Sequence, residues 1–349
     1  MSTHFQFTMQ LTRESGESLA EHPIEPDWEP ARAAVALRVL RTGADAAPLA
    51  AQIAIEPVWT ARGEPHTAGA RLVCGDVAEE FSLPYFSSLA RELSADLVER
   101  KLLVAGDHFK YRLFAYRTEA PAQSDAPAFH VEEVAAPLDL AEADIAALDR
   151  DATPFDEANA DDVPFYIPQS VLEEACEGAV NAGAVETGGI LIGHLRRDAA
   201  TRDLAVVVTA QVPAIAHGTA AKLSFTPETW HAVRTAIALR DRGEIMAGSW
   251  HSHPAATAWC VKCAVEKQRE CHLQIPFVSE DDVVLHRTIF PAAHCGSLVV
   301  TLAHDGPRYA LFGWRGGRVL QRGFSILGAT RQPQPQPTTD HATLCPQAD

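Results

Sequence analysis

The sequence predicts an α+β protein with two folded regions, and three observations carry that reading. Short apolar runs bounded by Gly, Pro and Asp recur over residues 1–118, with one amphipathic helical pattern among them. Residues 119–164 turn Ala-, Pro- and Asp-rich with a negative balance, which is the composition of a linker. Residues 165–328 then order as helix, strand, strand, helix, strand, helix, strand. A chain of 349 residues, 47% apolar and with a mean hydropathy of −0.07, has enough apolar material for two cores.

In the first region, apolar runs between turn clusters predict strands over 5–11, 34–40, 51–59, 70–73 and 108–116. Leu89, Leu93, Leu97, Leu102 and Leu103, with charges between them, predict a helix over 83–103 lying against a sheet. His4, His22, His66 and His108 lie apart from one another, and no metal or phosphate motif occurs there. The expectation for 1–118 is therefore a domain without catalysis that binds a protein. The linker carries only a short helical pattern over 138–148. In the second region a helix is expected over 168–180, strands over 185–195 and 204–212, and a helix over 226–241 with Thr226 as N-cap and Pro227 in its first position. A strand leading into His251, a helix carrying Asp282, a strand over 298–303 and a hairpin of 309–314 with 318–322 across Gly316-Gly317 complete it. Residues 329–349, with Pro-Gln repeats, are expected to form a disordered tail.

The charge balance narrows the partners. Forty-six acids against 29 Lys and Arg give a net charge of −17, which disfavours nucleic acid and anionic membrane surfaces and suits a basic protein segment. No apolar run reaches the roughly 18 residues of a membrane span. The first 17 residues lack a signal-peptide pattern, so a cytoplasmic chain with reduced cysteines is expected. Seven cysteines are an odd number, and their placement says more than their count. Cys74 and Cys176 sit in apolar surroundings, Cys345 lies in the tail, and Cys260, Cys263 and Cys271 crowd into one short stretch.

The chemistry concentrates around Gly248-Ser249-Trp250-His251-Ser252-His253-Pro254. Side chains two apart on a strand share a face, so His251 and His253 direct both imidazoles at one point, where Pro254 ends the strand. Downstream, Ser279-Glu280-Asp281-Asp282 opens a helix with Ser279 as N-cap, which makes Asp282 a third ligand candidate. Upstream, Glu186 precedes Gly188-Gly189 at the mouth of an apolar strand, where a carboxylate can serve as a base. Each piece alone has a plainer reading. His-x-His pairs are common on surfaces, Ser-x-x-Asp is a capping box, and Glu186 could be a turn residue. Two imidazoles and one carboxylate leave a zinc ion an open fourth position for a water.

Taken together, E…GG(x)LxG, H-S-H-P and S-x-x-D in that order resemble the JAMM (MPN-plus) metalloprotease family, over roughly residues 165–325. The resemblance implies a mixed sheet flanked by helices, a catalytic zinc on His251, His253 and Asp282, Glu186 as base and Ser279 as oxyanion donor. It also implies cleavage of isopeptide or peptide bonds after the C-terminal tail of ubiquitin or a ubiquitin-like protein, with conjugation-pathway enzymes as further partners. Processing of a ubiquitin-fold sulfur carrier is the alternative within the family. A non-catalytic scaffold is the other, although the scaffold members have lost ligands that this chain keeps. The chain departs from the family in spacing, since His253 and Ser279 stand 26 positions apart. At the family's shorter spacing the positions fall on Val261 and Ala264, which cannot act, so 255–278 is read as containing an insertion.

The insertion carries Cys260, Cys263 and Cys271, which predict a second, structural zinc with His272, His286, His294 or Cys295 as fourth ligand. Cys260-x-x-Cys263 also invites a zinc-deaminase reading. Its only upstream partner, His130-Val131-Glu132, falls in the linker, and Trp259 stands where that motif needs proline.

Overall fold

The structure is a computed structural model and describes residues 4–61, 63–118, 134, 138, 140–219, 222–255 and 271–329. It is α+β. One compact unit spans Met1–Leu138 together with Gly316–Arg318, and the other spans Asp139–Arg315 and Val319–Asp349. Among the described residues no helix is long and apolar enough to cross a membrane.

The first unit contains β1 (His4–Arg13), β2 (Ser18–Ile24), α1 (Glu29–Arg41), β3 (Ala54–Trp59), β4 (His66–Cys74), β5 (Val77–Ser82), α2 (Ser87–Glu99) and β6 (Phe109–Thr118). The strands form a sheet ordered β2-β1-β6-β4-β3, with β5 on β4. Phe7, Met9 and Leu11 alternate inward from β1 and pack with Ala90 and Leu97 of α2, while Ala31 and Val35 of α1 pack on Leu72 and Phe81. The strand expected over 34–40 is instead part of α1. Pro30 in its first turn, Glu29 at its start and Arg38 and Arg41 at its end are helix-terminus signals, and buried Ala31 and Val35 are four apart. The helix expected over 83–103 is a 3-10 turn, Leu83–Phe86, followed by α2, which ends before Lys101 at φ 60°.

The second unit contains β7 (Ala141–Ala143), α3 (Ile145–Asp151), β8 (Ala152–Phe155), β9 (Phe165–Pro168), α4 (Gln169–Ala182), β10 (Gly188–Asp198) and β11 (Leu204–Pro213). It continues with β12 (Ala216–Gly218), β13 (Leu223–Phe225), α5 (Pro227–Arg240), β14 (Ile245–His253), α6 (Glu280–Ile289), β15 (Gly296–Ala303), β16 (Gly306–Arg315), β17 (Arg318–Arg322) and β18 (Phe324–Leu327). Ten strands make one mixed sheet, ordered β17-β16-β15-β14-β10-β11-β9-β18-β8 with β7 on β10. β12 and β13 form a separate hairpin.

The expected linker ends earlier than 164. β7 pairs with β10 and β8 with β18, so both belong to the second sheet. Asp162 is held by both Nε and Nη2 of Arg315, and Arg322, 1% exposed, lies beside it with a bond to the Val163 carbonyl. Asp198 accepts the amides of Ile145, Ala200 and Thr201, which fixes the start of α3 and holds the Asp198 carboxyl below its ordinary range. Polar segments read as linkers when their partners are distant in sequence. Residues 119–133 of that segment, and most of the tail expected over 329–349, lie outside the described residues.

The centre of the sheet sets up the site. β14 runs antiparallel to β10 and parallel to β15, so it is buried almost throughout. Gly248 sits at φ 154°, and a Cβ there would stand 1.7 Å from the Gly296 carbonyl oxygen of β15. Only glycine fits that approach. Gly248→Ala is expected to cost about 3 kcal/mol, lowering the midpoint of thermal unfolding by roughly 6–12 °C for a unit of this size. Calorimetry on the purified variant checks this, and an unchanged midpoint would mean that β14 and β15 lie further apart.

Candidate metal centre

Three elements meet at the C-terminal end of β14. Its last residues, His251 and His253, share a face by the period of the strand, and their Nε2 atoms lie 3.3 Å apart. The first turn of α6 brings Asp282 to them, with Oδ2 3.7 Å from His251 Nε2. All three donor atoms lie within 4.8 Å of one another, and no other such group of three forms among the described residues.

Asp282 is held by its own helix. Ser279 is the N-cap of α6, and the cap is reciprocal: the Asp282 amide donates to Ser279 Oγ at 3.2 Å, and the Ser279 amide donates to Asp282 Oδ2 at 2.7 Å. The Ser279 hydroxyl also donates to Oδ2, at 2.7 Å. Ser279 therefore orients the third candidate ligand here. Donation to an oxyanion, the role expected from the sequence, requires that bond to open.

Burial decides the protonation of the site. It holds His251 below its ordinary range, against the pull of the Asp282 carboxylate. It pushes His253 down to about 3, with His251 adding to the effect. Both imidazoles are thus neutral and keep a lone pair each. His253 lies against Phe277 with ring centroids 4.4 Å apart and the rings tilted by 40°, and its buried Nδ1 has no hydrogen-bond partner among the described residues. Glu186 stands just before β10 and outside the three-atom group, nearly buried. Desolvation first, and the Asp282 carboxylate second, push it up to about 7. Register places it there: Gly188 pairs with His251, two residues after Glu186. The Glu186 amide donates to the Thr219 carbonyl at 2.7 Å, and Gly218 passes so close that a Cβ would stand 2.0 Å from the Glu186 backbone carbonyl oxygen.

The donor set fits zinc. Two nitrogens about 2.0–2.1 Å from a common tetrahedral centre stand about 3.3–3.4 Å apart, which is the separation of the two Nε2 atoms. Two neutral imidazoles with one carboxylate is a ligand set of catalytic zinc sites. The expected cysteine site is a different matter, because Cys260 and Cys263 lie outside the described residues while Cys271 is buried. Of the residues considered for its fourth ligand, Cys295 sits in an apolar cluster with Ile190, Ile192, Val233 and Phe290, where burial pushes its thiol up to about 12. His286 is buried between Phe290 and Trp314.

Sequence reasoning named all five polar residues of the centre but missed Phe277, Gly218 and Thr219. Phe277 fell in the stretch treated as insertion, yet 271–278 is built into the unit. Gln274 accepts the His304 amide at 3.0 Å, and Val278 packs against Val299, Ala310 and Phe312.

No family model and no curated protein matches this chain. Among solved structures, the solution structure of protein DSY2949 from Desulfitobacterium hafniense is similar at a TM-score of 0.32 and 19% identity, over 46% of this chain and 92% of that one. A likeness of that size bears on neither fold nor function.

The cap carries a prediction of its own. Ser279→Ala removes a cap worth about 1 kcal/mol, so metal-free protein should melt roughly 2–4 °C lower. A scan in chelator measures it, and an unchanged midpoint would show that α6 does not depend on this bond.

Proposed function

We propose that the second unit is a zinc-dependent peptidase or isopeptidase that cuts after the C-terminal tail of a ubiquitin-like protein. The observation that carries the hydrolase reading is the convergence of His251, His253 and Asp282 beside Glu186, a buried carboxylate that is not one of the three ligands. Substrate class rests on the resemblance of H-S-H-P, S-x-x-D and E…GG(x)LxG to JAMM metalloproteases. Processing of a ubiquitin-fold sulfur carrier remains the alternative within the same chemistry.

His251, His253 and Asp282 would hold the ion. Bound there, zinc would supply Lewis acidity for the scissile carbonyl and a lowered pKa for a water in the fourth position. Glu186 accepts the proton of the attacking water and returns it to the leaving nitrogen, a task that suits a carboxylate poised near neutrality. Ser279 keeps Asp282 turned towards the histidines. The first unit, in which the described residues form no metal-ligand group, would bind the ubiquitin-like protein or a conjugation enzyme. With Cys74, Cys176 and Cys295 as free thiols, the protein would act in the cytoplasm.

Zinc quantification run beside cleavage of a ubiquitin-like fusion tests the reading. His251→Ala should lose metal and activity together. Glu186→Gln, which keeps size but cannot take a proton, should keep zinc while turnover falls about 10²-fold or more. A Glu186→Gln protein that cuts at the parent rate with zinc bound would leave the centre as a binding site only.

The second zinc, on Cys260, Cys263 and Cys271, is a separate proposal. Purified protein should carry two zinc ions, and the Cys260→Ser, Cys263→Ser double variant one. A single ion, unchanged in that variant, would remove the structural site.

A further inference from the structure

We propose that Ser252 is a positioning residue for Glu186: its hydroxyl accepts the Thr187 amide and thereby fixes where the Glu186 carboxylate stands relative to His251 and His253. The inference rests on the hydrolase reading and adds a residue to it. Ser252 lies between the two histidines, so the period of the strand turns its side chain to the face opposite theirs. It is 1% exposed and cannot meet a substrate there.

Two bonds join it to the residue after Glu186. The Ser252 amide donates to the Thr187 carbonyl at 2.8 Å, and the Thr187 amide donates to Ser252 Oγ at 3.1 Å. The β10–β14 pairing reaches only Gly188 and His251, so Thr187 lies one residue beyond the ladder. A backbone bond alone leaves such a terminal residue free to swivel about one hinge, whereas the hydroxyl adds a second point of attachment. On the other side, the Glu186 amide is bonded to the Thr219 carbonyl and its carbonyl is crowded by Gly218. The Glu186–Thr187 peptides are thus gripped from both flanks, and the grip on the histidine side comes from the residue flanked by the ligands themselves. A misplacement of about 1 Å can cost up to 10²-fold in rate, so a base on a loosened segment loses turnover without losing substrate.

The test compares parent, Ser252→Ala and Ser252→Thr. Ser252→Ala should keep its zinc content and its zinc affinity in chelator competition, keep KM, and lose about 10-fold in kcat. Ser252→Thr, which keeps the hydroxyl, should recover most of that loss. Amide hydrogen exchange at Thr187 should quicken in Ser252→Ala and return to the parent rate in Ser252→Thr, a readout independent of activity. Placed on Glu186→Gln, Ser252→Ala should have no further effect, because the group it positions is gone. The proposal is overturned if Thr187 exchange is unchanged, if zinc affinity falls in step with kcat, or if the 10-fold loss recurs on Glu186→Gln. An active parent whose Ser252→Ala variant keeps its kcat overturns this proposal alone. A zinc-loaded parent that cleaves no ubiquitin-like fusion, with Thr187 protected, overturns the hydrolase reading instead.

Discussion

The close approach of β14 to its two neighbours is the constraint on which the site depends. On one side a Cβ at Gly248 would meet the Gly296 carbonyl, and on the other a Cβ at Gly188 would stand 2.4 Å from the Trp250 carbonyl. Glycines at these crossings fix the register, and a strand that slipped by one residue would turn both histidines to the opposite face. That opposite face is already filled. Trp250 occupies it, with its indole Nε1 bonded to Gln211 at 3.1 Å and its ring 3.1 Å from where a Cβ on Gly178 would be. His251 and His253 are therefore placed by backbone geometry before any side chain of the site interacts with another.

Burial of polar groups is the cost of such a site, and the same burial sets its protonation. Desolvation keeps the imidazoles neutral, which a cation-binding nitrogen needs, and raises Glu186, which a base needs. Two carboxylates close enough to influence each other, with a buried His253 Nδ1 that has no partner among the described residues, are unfavourable in a metal-free protein. A divalent cation between the histidines and Asp282 would relieve the repulsion between the carboxylates.

How far the sequence discloses this depends on the distance over which each residue's reason acts. β10, β11, β14, α5 and α6 were legible because their signals are local: a run of branched residues, a Thr-Pro start, a Ser-x-x-Asp cap. The site residues were legible because a period of two and a period of one helical turn place them without reference to the rest of the chain. α1 was misread because Ala-Val-Ala-Leu-Arg-Val-Leu satisfies both periods, and the buried positions were chosen by packing on Leu72 and Phe81. The span 139–164 was misread because Asp162 is explained only by Arg315 and Arg322, more than 150 positions away in the chain. Ser252 and Thr187 had the same obstacle, since their bond joins residues separated by 65 positions.

The Ser-x-x-Asp motif shows why a plain and a functional reading of one pattern need not compete. As a capping box it needs Ser279 Oγ and the Asp282 carboxylate to satisfy amides at the start of α6, and they do. As a metal ligand Asp282 must be held in one rotamer with an oxygen towards the histidines, and the oxygen that accepts the Ser279 amide and hydroxyl is the one 3.7 Å from His251 Nε2. The positive end of α6 favours the carboxylate at that position in either role. A helix that caps itself with a ligand carries that ligand in a fixed orientation at no further loss of side-chain freedom, because the rotamer is already set by the cap. The capping geometry is thus the physical reason that a residue 29 positions from His253 can serve the same centre.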